Sequence, residues 1–254
     1  MPNHPSQNTG WPDGVGRIVL PEVDSTLSEA ARRAPDLSAP TWILALKQTA
    51  GRGRRGRSWS DPAGNFAATL LMRPQGGAGQ AAMRSFIAAL ALYDAIVAVS
   101  GRSAGLALKW PNDVLLNGGK IAGILLESTG TAGAMNWLSI GIGVNLLTPP
   151  DAVEPGAMRP VSLFNETGAA VQPQEFLNAL APAFARYEAQ FTDLGFAPIR
   201  TAWLNRAARL GQVITARTGT AEFTGTFETI DDSGALILNT PQGRQAIPAG
   251  EVYF

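Results

Sequence analysis

The sequence predicts an α+β protein with a central mixed β-sheet packed with helices, followed by a small all-β barrel. Over most of the chain, apolar strand-like runs are interspersed with helical runs. From Gly211 onward the runs become short and alternating, and turn residues separate them. Hydrophobic residues make up 45% of the 254 residues, which is ample for a core. We therefore expect a flexible tail over 1–16, a main domain over 17–210 and a barrel over 211–254.

Each element is predicted from its own pattern. The first strand runs into a helix that is capped at Ser25 and Thr26. Two strands around Gly118-Gly119 carry a hairpin signal. Further strands are predicted in 41–48, 65–73, 105–110 and 135–146, helices in 83–100, 173–191 (with a kink at Pro182) and 197–208, and irregular segments in 51–64 and 148–170.

The residue types that the sequence lacks, or nearly lacks, restrict the catalytic chemistry open to this protein. The sequence has no cysteine, which excludes disulfides, thiolate nucleophiles and Cys-ligated zinc. Its single histidine, His4, lies in a polar stretch rich in Pro and Gly, which argues against a Ser-His-Asp triad or a multi-His metal site. An enzyme of this composition would use Lys, Arg, carboxylates, hydroxyls, backbone amides or a bound cation. This favours phosphoryl or nucleotidyl transfer.

Charge and hydropathy exclude two further classes. Twenty basic and twenty acidic residues cancel, so no global basic field draws the chain to nucleic acid. We find no apolar run of the roughly 18 residues that a membrane span needs. The first residues, MPNHPSQNTGWPDG, lack the basic and apolar regions of a secretory signal.

The segment GRGRRGRSW (51–59) is the most unusual part of the sequence. Glycine lets backbone amides approach an anion, and arginine forks match phosphate or carboxylate oxygens. Its spacing resembles the phosphate-binding pattern G-x-x-x-x-G-K-[ST], but Arg57 replaces the lysine and SWSDPAGN cannot begin the required helix, so we reject that reading. Taken alone, the segment is more simply a solvated basic loop or an RGG-like nucleic-acid segment.

Other segments admit two roles each. KWPND (109–113) follows a strand, where ligands often bind, so Lys109 could neutralise phosphate and Asp113 could hold a cation or a ribose hydroxyl. A capped turn explains the same residues equally well. Lys120 is either an edge-protecting charge or a charge directed into a pocket. Trp59 is either a core aromatic or a platform on which a purine stacks.

One strand, 135–146, carries glycines that indicate close approach of another group to its backbone, namely Gly141 and Gly143. It ends in the GIGVN motif at Asn145. Strand-end punctuation would explain that asparagine equally simply.

The combination of motifs resembles the biotin–protein ligases. VDST, KQTAGRGRRGRSW, KWPND, GGKIAGILLES and GIGVN follow one another over residues 22–146. GRGRRGRSW and KWPND as a pair are specific to that family, whereas VDST and GIGVN alone are weak. The resemblance implies a class II synthetase-like ligase domain with a small C-terminal SH3-like barrel. It also implies ATP-dependent ligation of biotin to a lysine of a biotin carboxyl carrier protein, through biotinyl-5′-AMP and with release of pyrophosphate.

The resemblance further implies a set of site residues and a loop that orders on binding. Neither step of the implied reaction needs histidine or cysteine, which agrees with the composition. Mg²⁺ is expected, with ligands that the sequence does not identify. The catalytic residues would be Lys120, Arg52, Arg54 and Lys109. The biotin site would comprise Ser25, Thr26, Leu27, Gln48, Gly51, Arg52, Gly53, Arg54, Lys120 and Gly123. The ATP or adenylate site would comprise Arg52, Arg54, Trp59, Asn65, Lys109, Asn112, Asp113, Lys120 and Asn145.

The sequence departs from the family pattern at two places. Many members carry Asn after Asp-Ser-Thr, where this chain has Leu27, and a backbone contact there would survive the change. The residues before Ser25 carry Pro and Gly rather than a winged helix-turn-helix, so we expect a cytoplasmic ligase with neither a repressor role nor specific DNA binding. The expected partner is the carrier domain of a biotin-dependent carboxylase, and the resemblance allows a homodimer.

Two alternatives are weighed against this hypothesis. A lipoate-type ligase would share the fold but lack the GRGRRGRSW loop, and transferases with a cysteine nucleophile are excluded because the chain has no cysteine. A nucleic-acid-binding protein could use RGRRGR as its contact, but the zero net charge argues against it.

Overall fold

The computed structural model describes residues 10–131, 134–151 and 158–254, so His4 lies outside the described residues. The helices are α1 (Thr26–Arg33), α2 (Ala78–Ala82), α3 (Arg84–Ser100), α4 (Leu163–Thr167), α5 (Pro173–Leu194) and α6 (Phe196–Leu204). The strands are β1 (Gly16–Leu20), β2 (Thr41–Ala45), β3 (Phe66–Met72), β4 (Leu106–Lys109), β5 (Asp113–Leu116), β6 (Gly119–Thr131), β7 (Ala134–Val144), β8 (Val213–Arg217), β9 (Glu222–Ile230), β10 (Leu236–Thr240), β11 (Gly243–Ile247) and β12 (Glu251–Tyr253).

The main domain is built on a seven-stranded mixed sheet in the order β1-β2-β3-β7-β6-β5-β4. Strands β1 and β2 are parallel, and the other neighbours are antiparallel. Asn117 and Gly118 both have positive φ and close the β5–β6 hairpin that the sequence predicts, as a two-residue hairpin turn requires. Lys109, Asp113 and Lys120 all lie on this β4–β5–β6 edge of the sheet.

Helices cover both faces of the sheet. Helices α3 and α5 pack against each other and against the strands, whereas α1 packs on β2, β3 and β7. Strand β2 is buried throughout, with Trp42 and Leu44 in the main core and Ile43 in a second cluster with Ala30. Alternate residues of a strand point to opposite faces, so β2 contributes to the core on both sides.

The helical stretch Ala78–Ser100 corrects one expectation from the sequence. By length and composition these 23 residues could cross a membrane, although we found no apolar run of that size. The stretch packs inside the protein instead, with Ile87, Leu90 and Leu92 completely buried in the main core. The core helix of a globular protein commonly has this composition.

The C-terminal residues form a five-stranded antiparallel sheet in the order β11-β10-β9-β8-β12. Phe227 lies beside Trp203 of α6, with ring centroids 6.5 Å apart, so this sheet is anchored to the main domain. The predicted fold class, a mixed sheet with helices plus a small all-β C-terminal unit, is confirmed.

Three segments differ from the sequence prediction. Part of the predicted tail is anchored, because Trp11 packs against the core and its ring lies 3.6 Å from the Arg17 guanidinium carbon. The predicted irregular segment 148–170 contains α4, which is too short to show a periodic pattern; residues 152–157 of that segment lie outside the described part of the chain. The loop 51–64 contains one 3₁₀ turn at Arg54–Gly56.

Candidate active site

A cleft of about 1220 Å³ opens between the main sheet and the C-terminal sheet. Its walls come from the start of α1, the segment 51–60, which we call the arginine loop, the turn after β4, strands β6 and β7, and strand β12. All the predicted site residues except Gly51 and Asn65 line it. The sheet therefore brings together side chains that are far apart in the sequence.

One end of the cleft carries a network of hydroxyl and amide groups. Ser25 and Thr26 are buried at the start of α1. The backbone N and Oγ1 of Thr26 donate to Gln48 Oε1 at 2.8 and 3.1 Å, and Thr69 Oγ1 donates to Thr26 Oγ1 at 2.9 Å. The oxygen of the Gln48 amide is thus occupied by protein donors, so what this amide offers a ligand is its N–H.

Asp61, which the sequence analysis missed, does not line the cleft but holds the backbone of Gln48 in this network. Its Oδ2 accepts a hydrogen bond from the Gln48 backbone N at 3.0 Å. Burial raises the pKa of Asp61 to about 6, while the hydrogen bonds from the Gln48 backbone and side chain act in the opposite direction. Its other oxygen, Oδ1, is buried and has no hydrogen-bond partner among the residues that the structure describes.

Glycines bring the loop and the strands close to large side chains. A methyl group at Gly51 would lie 2.8 Å from the Trp59 carbonyl oxygen and 2.9 Å from Gln48 Nε2, so this position needs a glycine although it does not line the cleft. Leu27 is buried and packs on Gly141, where an added Cβ would lie 2.9 Å from two of its carbons. The close approaches predicted at Gly141 and Gly143 are both confirmed, the first by Leu27 and the second by the Trp59 ring.

Trp59 lies on the sheet over Gly143 and Gly123. A methyl group at 143 would be 2.6 Å from its indole Nε1, and one at 123 would be 3.2 Å from its Cζ3. Lys120 Nζ lies 5.7 Å from the centroid of the Trp59 ring, within the range of a cation–π contact. The Trp59 ring therefore forms part of the cleft wall and lies next to the ammonium group of Lys120.

Arg52 has protein partners that the sequence does not reveal. Its Nε and Nη2 donate to the two oxygens of Glu127 on β6 at 3.0 and 2.8 Å. Its Nη1 donates to Ser28 Oγ at 2.7 Å and to Ser25 Oγ at 3.3 Å. In this structure Arg52 therefore anchors the loop to β6 and α1, and a phosphate contact of Arg52 stays a prediction.

The rest of the arginine loop is held by the C-terminal sheet. Arg54 donates from Nη1 to Asn112 Oδ1 at 3.3 Å and from Nη2 to the Gly250 carbonyl at 3.1 Å. Burial lowers the pKa of Arg54. Arg57 donates to Glu251 Oε1, and Arg55 Nη1 lies 3.5 Å from the same oxygen. These contacts hold the loop over the cleft.

The opposite end of the cleft is cationic. Lys120 Nζ lies 2.7 Å from Asp113 Oδ1, and Lys109 Nζ lies 3.9 Å from its Oδ2. Lys109 is buried, which lowers its pKa, and the Asp113 carboxylate acts in the opposite direction. Two ammonium groups on one carboxylate leave net positive charge, which suits a polyanionic ligand.

Two predicted asparagines have mainly structural contacts. Asn65 does not line the cleft, because its Oδ1 accepts from the backbone N of Leu147 and of Thr148 at 3.0 and 3.2 Å and its Nδ2 donates to the Thr148 carbonyl at 2.7 Å. Asn145 lines the cleft and donates to the Val161 carbonyl at 3.0 Å. Its Oδ1 is buried and has no partner within the described residues.

A metal cage built from protein side chains is not present among residues 10–131, 134–151 and 158–254, which contain no group of three His, Cys, Asp or Glu suited to a metal ion. Asp113 is the predicted carboxylate in the cleft. A single carboxylate fits Mg²⁺ in the way common for nucleotide sites, where the phosphates and water supply the other ligands.

Several further residues that line the cleft or hold its arginine loop were not identified from the sequence. Phe254 lies between two cations, with its ring centroid 5.6 Å from Lys109 Nζ and 5.3 Å from the Arg209 guanidinium carbon. Glu127 and Glu251 are partners of the arginine loop that only the folded sheet order reveals. No local pattern distinguishes these two carboxylates from the other acidic residues.

Sequence comparison identifies two family matches. The Biotin/lipoate A/B protein ligase family matches residues 19–145. The Biotin protein ligase C terminal domain matches residues 210–254.

Curated relatives and solved structures agree with these matches. The chain is 64% identical to the biotin–[acetyl-CoA-carboxylase] ligase of Paracoccus denitrificans over 93% of this chain and 99% of that protein. It is 31% identical to the bifunctional ligase/repressor of Escherichia coli over 91% of this chain and 72% of that protein. Its structure is similar to a biotin protein ligase from Aquifex aeolicus in complex with biotin and ATP, with a TM-score of 0.80, 25% identity and coverage of 94% and 97% of the two chains.

Proposed function

The chain belongs to the biotin/lipoate A/B protein ligase family, and we propose that it is a biotin–[biotin carboxyl carrier protein] ligase that consumes ATP and forms AMP. Biotin is first activated to biotinyl-5′-AMP with release of pyrophosphate, and the biotinyl group then passes to a lysine of the carrier domain. The name of the Paracoccus relative supports this assignment. The main domain, 17–210, would bind both substrates, and 211–254 would close the site.

One observation carries the proposal: the cleft joins a neutral end of hydrogen-bond donors to a cationic end. The Gln48 amide N–H and the Ser25 hydroxyl suit a ureido ring, whose carbonyl oxygen accepts hydrogen bonds. Lys109 and Lys120 suit a carboxylate that meets a triphosphate. A small neutral head group with an acidic tail, placed next to a nucleotide, satisfies both ends.

In the first step, a biotin carboxylate oxygen forms a bond to the α-phosphorus while the bond from that phosphorus to the pyrophosphate oxygen breaks. Two anions must approach, so the main contribution of the protein is charge neutralisation and alignment. Lys120 would neutralise the carboxylate and the forming anhydride oxygens, and Lys109 the α-phosphate. Trp59 would provide the face on which adenine stacks, and Arg54 would keep the loop closed over the anhydride.

In the second step, the neutral amine of the acceptor lysine attacks the acyl carbon of the anhydride. The bond from that carbon to the AMP oxygen breaks, AMP leaves, and the amine releases one proton to solvent water as the amide forms. Lys109 and Lys120 would stabilise the negative charge that returns to AMP.

Mg²⁺ would enter with the nucleotide and neutralise phosphate charge. Asp113 and Asn112, whose side chains carry oxygen atoms and line the cleft at its cationic end, would contact it there. We also propose that the enzyme acts in the cytoplasm, that its acceptor is the carrier domain of a biotin-dependent carboxylase, and that it can form a homodimer.

A lipoate-type ligase is the competing function. Its substrate would present an apolar dithiolane in place of a ureido ring, leaving the Ser25 and Gln48 donors buried without an acceptor. A site built to donate hydrogen bonds rejects a ligand without the acceptor strongly. The polar end of the cleft therefore favours biotin.

Biotin-dependent exchange of pyrophosphate into ATP tests the proposal. The purified chain should catalyse exchange that needs both biotin and Mg²⁺. Exchange with lipoate but not with biotin would mean that lipoate is the substrate. No exchange with any acid would contradict the assignment as an enzyme. A gel shift on random DNA completes the test, because tight, salt-sensitive binding would favour the nucleic-acid hypothesis.

A further inference from the structure

The carboxylate of Glu127 binds the arginine loop at its first arginine. It is on β6, and both of its oxygens accept from the Arg52 guanidinium in a two-point pair. About 40% of the Glu127 side chain and 32% of the Arg52 side chain are exposed. An exposed pair of this kind adds little to stability, so its geometry rather than its energy is the notable property.

The same guanidinium sets the direction of a hydroxyl group in the cleft. Arg52 Nη1 donates to Ser25 Oγ, so the Ser25 oxygen acts as an acceptor toward the protein. Within the described parts of the chain, the hydroxyl proton of Ser25 has no acceptor. Because Ser25 lines the cleft, this proton is left for a ligand.

Glu127 limits the alternatives open to Arg52. An unpaired guanidinium could rotate away from Ser25, and the freed Ser25 oxygen could then accept a hydrogen bond from a ligand instead of donating one. The two-point pair fixes the plane of the guanidinium, and Ser28 accepts from the same Nη1 at 2.7 Å. The relay from Glu127 through Arg52 thus keeps Ser25 as a hydrogen-bond donor to the ligand.

We propose that Glu127 is a positioning residue which, through Arg52, determines that Ser25 donates to the ligand and thereby sets the preference for a head group with a strong acceptor. This inference rests on the proposed function, because it names the feature of biotin that the relay selects, the ureido oxygen. Glu127 itself does not line the cleft.

The test compares biotin with its thiocarbonyl analogue, in which a sulfur, a weak acceptor, replaces the ureido oxygen. KM values for both acids are measured by pyrophosphate exchange in the wild-type protein and in Glu127→Gln. We expect the variant to raise the KM for biotin about tenfold, the loss typical of a weakened hydrogen bond at a charged group. The KM for the analogue and the KM for ATP should change by less than about twofold, so the preference for oxygen over sulfur falls.

Glu228→Gln is the matched control, because Glu228 forms a similar pair with Arg244 at 2.8 Å, is 41% exposed and does not line the cleft. A second set of variants, Ser25→Ala with and without Glu127→Gln, tests the relay itself. If Glu127 acts through Ser25, the double variant should be no worse for biotin than Ser25→Ala alone.

Two results would overturn the inference: an equal loss for both acids in Glu127→Gln, or fully additive losses in the double variant. A failure of the proposed function has a different signature, since the wild-type protein would then show no exchange with biotin at all.

Discussion

The indole of Trp59 lies against Gly143 so closely that a methyl group at position 143 would be 2.6 Å from its Nε1 and Cζ2. Strand β7 thus needs a glycine at position 143, because the Trp59 ring from the arginine loop occupies the space that a side chain at this position would fill. The backbone of β7 and the position of the loop are coupled by this contact, and the glycine sets the depth at which the tryptophan lies in the cleft.

Gly143→Ala should therefore weaken nucleotide binding by displacing Trp59. We expect the KM for ATP in pyrophosphate exchange to rise by about tenfold, since stacking of a base on an aromatic ring contributes roughly 1–3 kcal/mol. Gly219→Ala is the control, because among the described residues only its own chain neighbours lie within 4 Å of a Cβ at that glycine, and its φ is not positive. An unchanged KM for ATP in Gly143→Ala would contradict the stacking role of Trp59.

Lys120→Ala should abolish formation of the adenylate while leaving the fold intact. The side chain is at the cleft surface rather than in the core, and its removal takes away one of the two ammonium groups around Asp113. We expect exchange to fall at least about a hundredfold, the usual effect of losing one group that stabilises developing charge.

Lys47→Ala is the control for that experiment, because Lys47 pairs with Glu22 on the surface and is outside the cleft. Circular dichroism of both variants should match the wild-type spectrum. Normal exchange by Lys120→Ala would remove this lysine from the mechanism.

Arg54→Gly should give an enzyme that releases its intermediate. The Arg54 side chain connects the loop to Asn112 and to the Gly250 carbonyl, so its loss opens the cover of the cleft. We expect adenylate to escape and biotin to appear on lysines of a bystander protein such as albumin, detected by avidin blot.

Arg55→Gly is the control for that prediction. Arg55 is next in the loop, is exposed, and has a φ of 56°, a value that suits glycine. Equal labelling of the bystander protein by both variants would show that retention does not depend on the contacts of Arg54.

Much of the fold could be predicted from the sequence because its signals are local. The apolar runs, the Gly118 hairpin and the change of pattern at Gly211 each depend on a few neighbouring residues. The site residues that the family resemblance implied line one cleft, except for Gly51 and Asn65. Lys109 and Lys120, for example, were each ambiguous in isolation but lie on one carboxylate.

The contacts that the sequence does not reveal join residues that are distant along the chain. Asn65 precedes a buried strand next to the arginine loop, yet its amide holds the backbone of 147–148, which lies beside it because β3 pairs with β7. Glu127 and Glu251 are 75 and 194 residues from their arginine partners. Such pairs are set by strand order, which the one-dimensional pattern does not contain.

Asp61 predicts how stability depends on pH. Burial raises the pKa of Asp61 to about 6, above its ordinary value of 3.8. Between these two values the folded protein binds more protons at this group than the unfolded chain, so the free energy of unfolding falls as pH rises from about 4 to about 6. The contribution at neutral pH is a loss of up to roughly 3 kcal/mol.

Asp61→Asn removes this titration and keeps an oxygen that can accept from the Gln48 backbone N. We expect the variant, relative to wild type, to gain stability progressively between pH 4 and pH 7, measured by urea unfolding at each pH. Asp36→Asn, at an exposed carboxylate, is the control. If the difference between wild type and Asp61→Asn is the same at pH 4 and pH 7, the Asp61 carboxyl does not have a raised pKa in the folded protein.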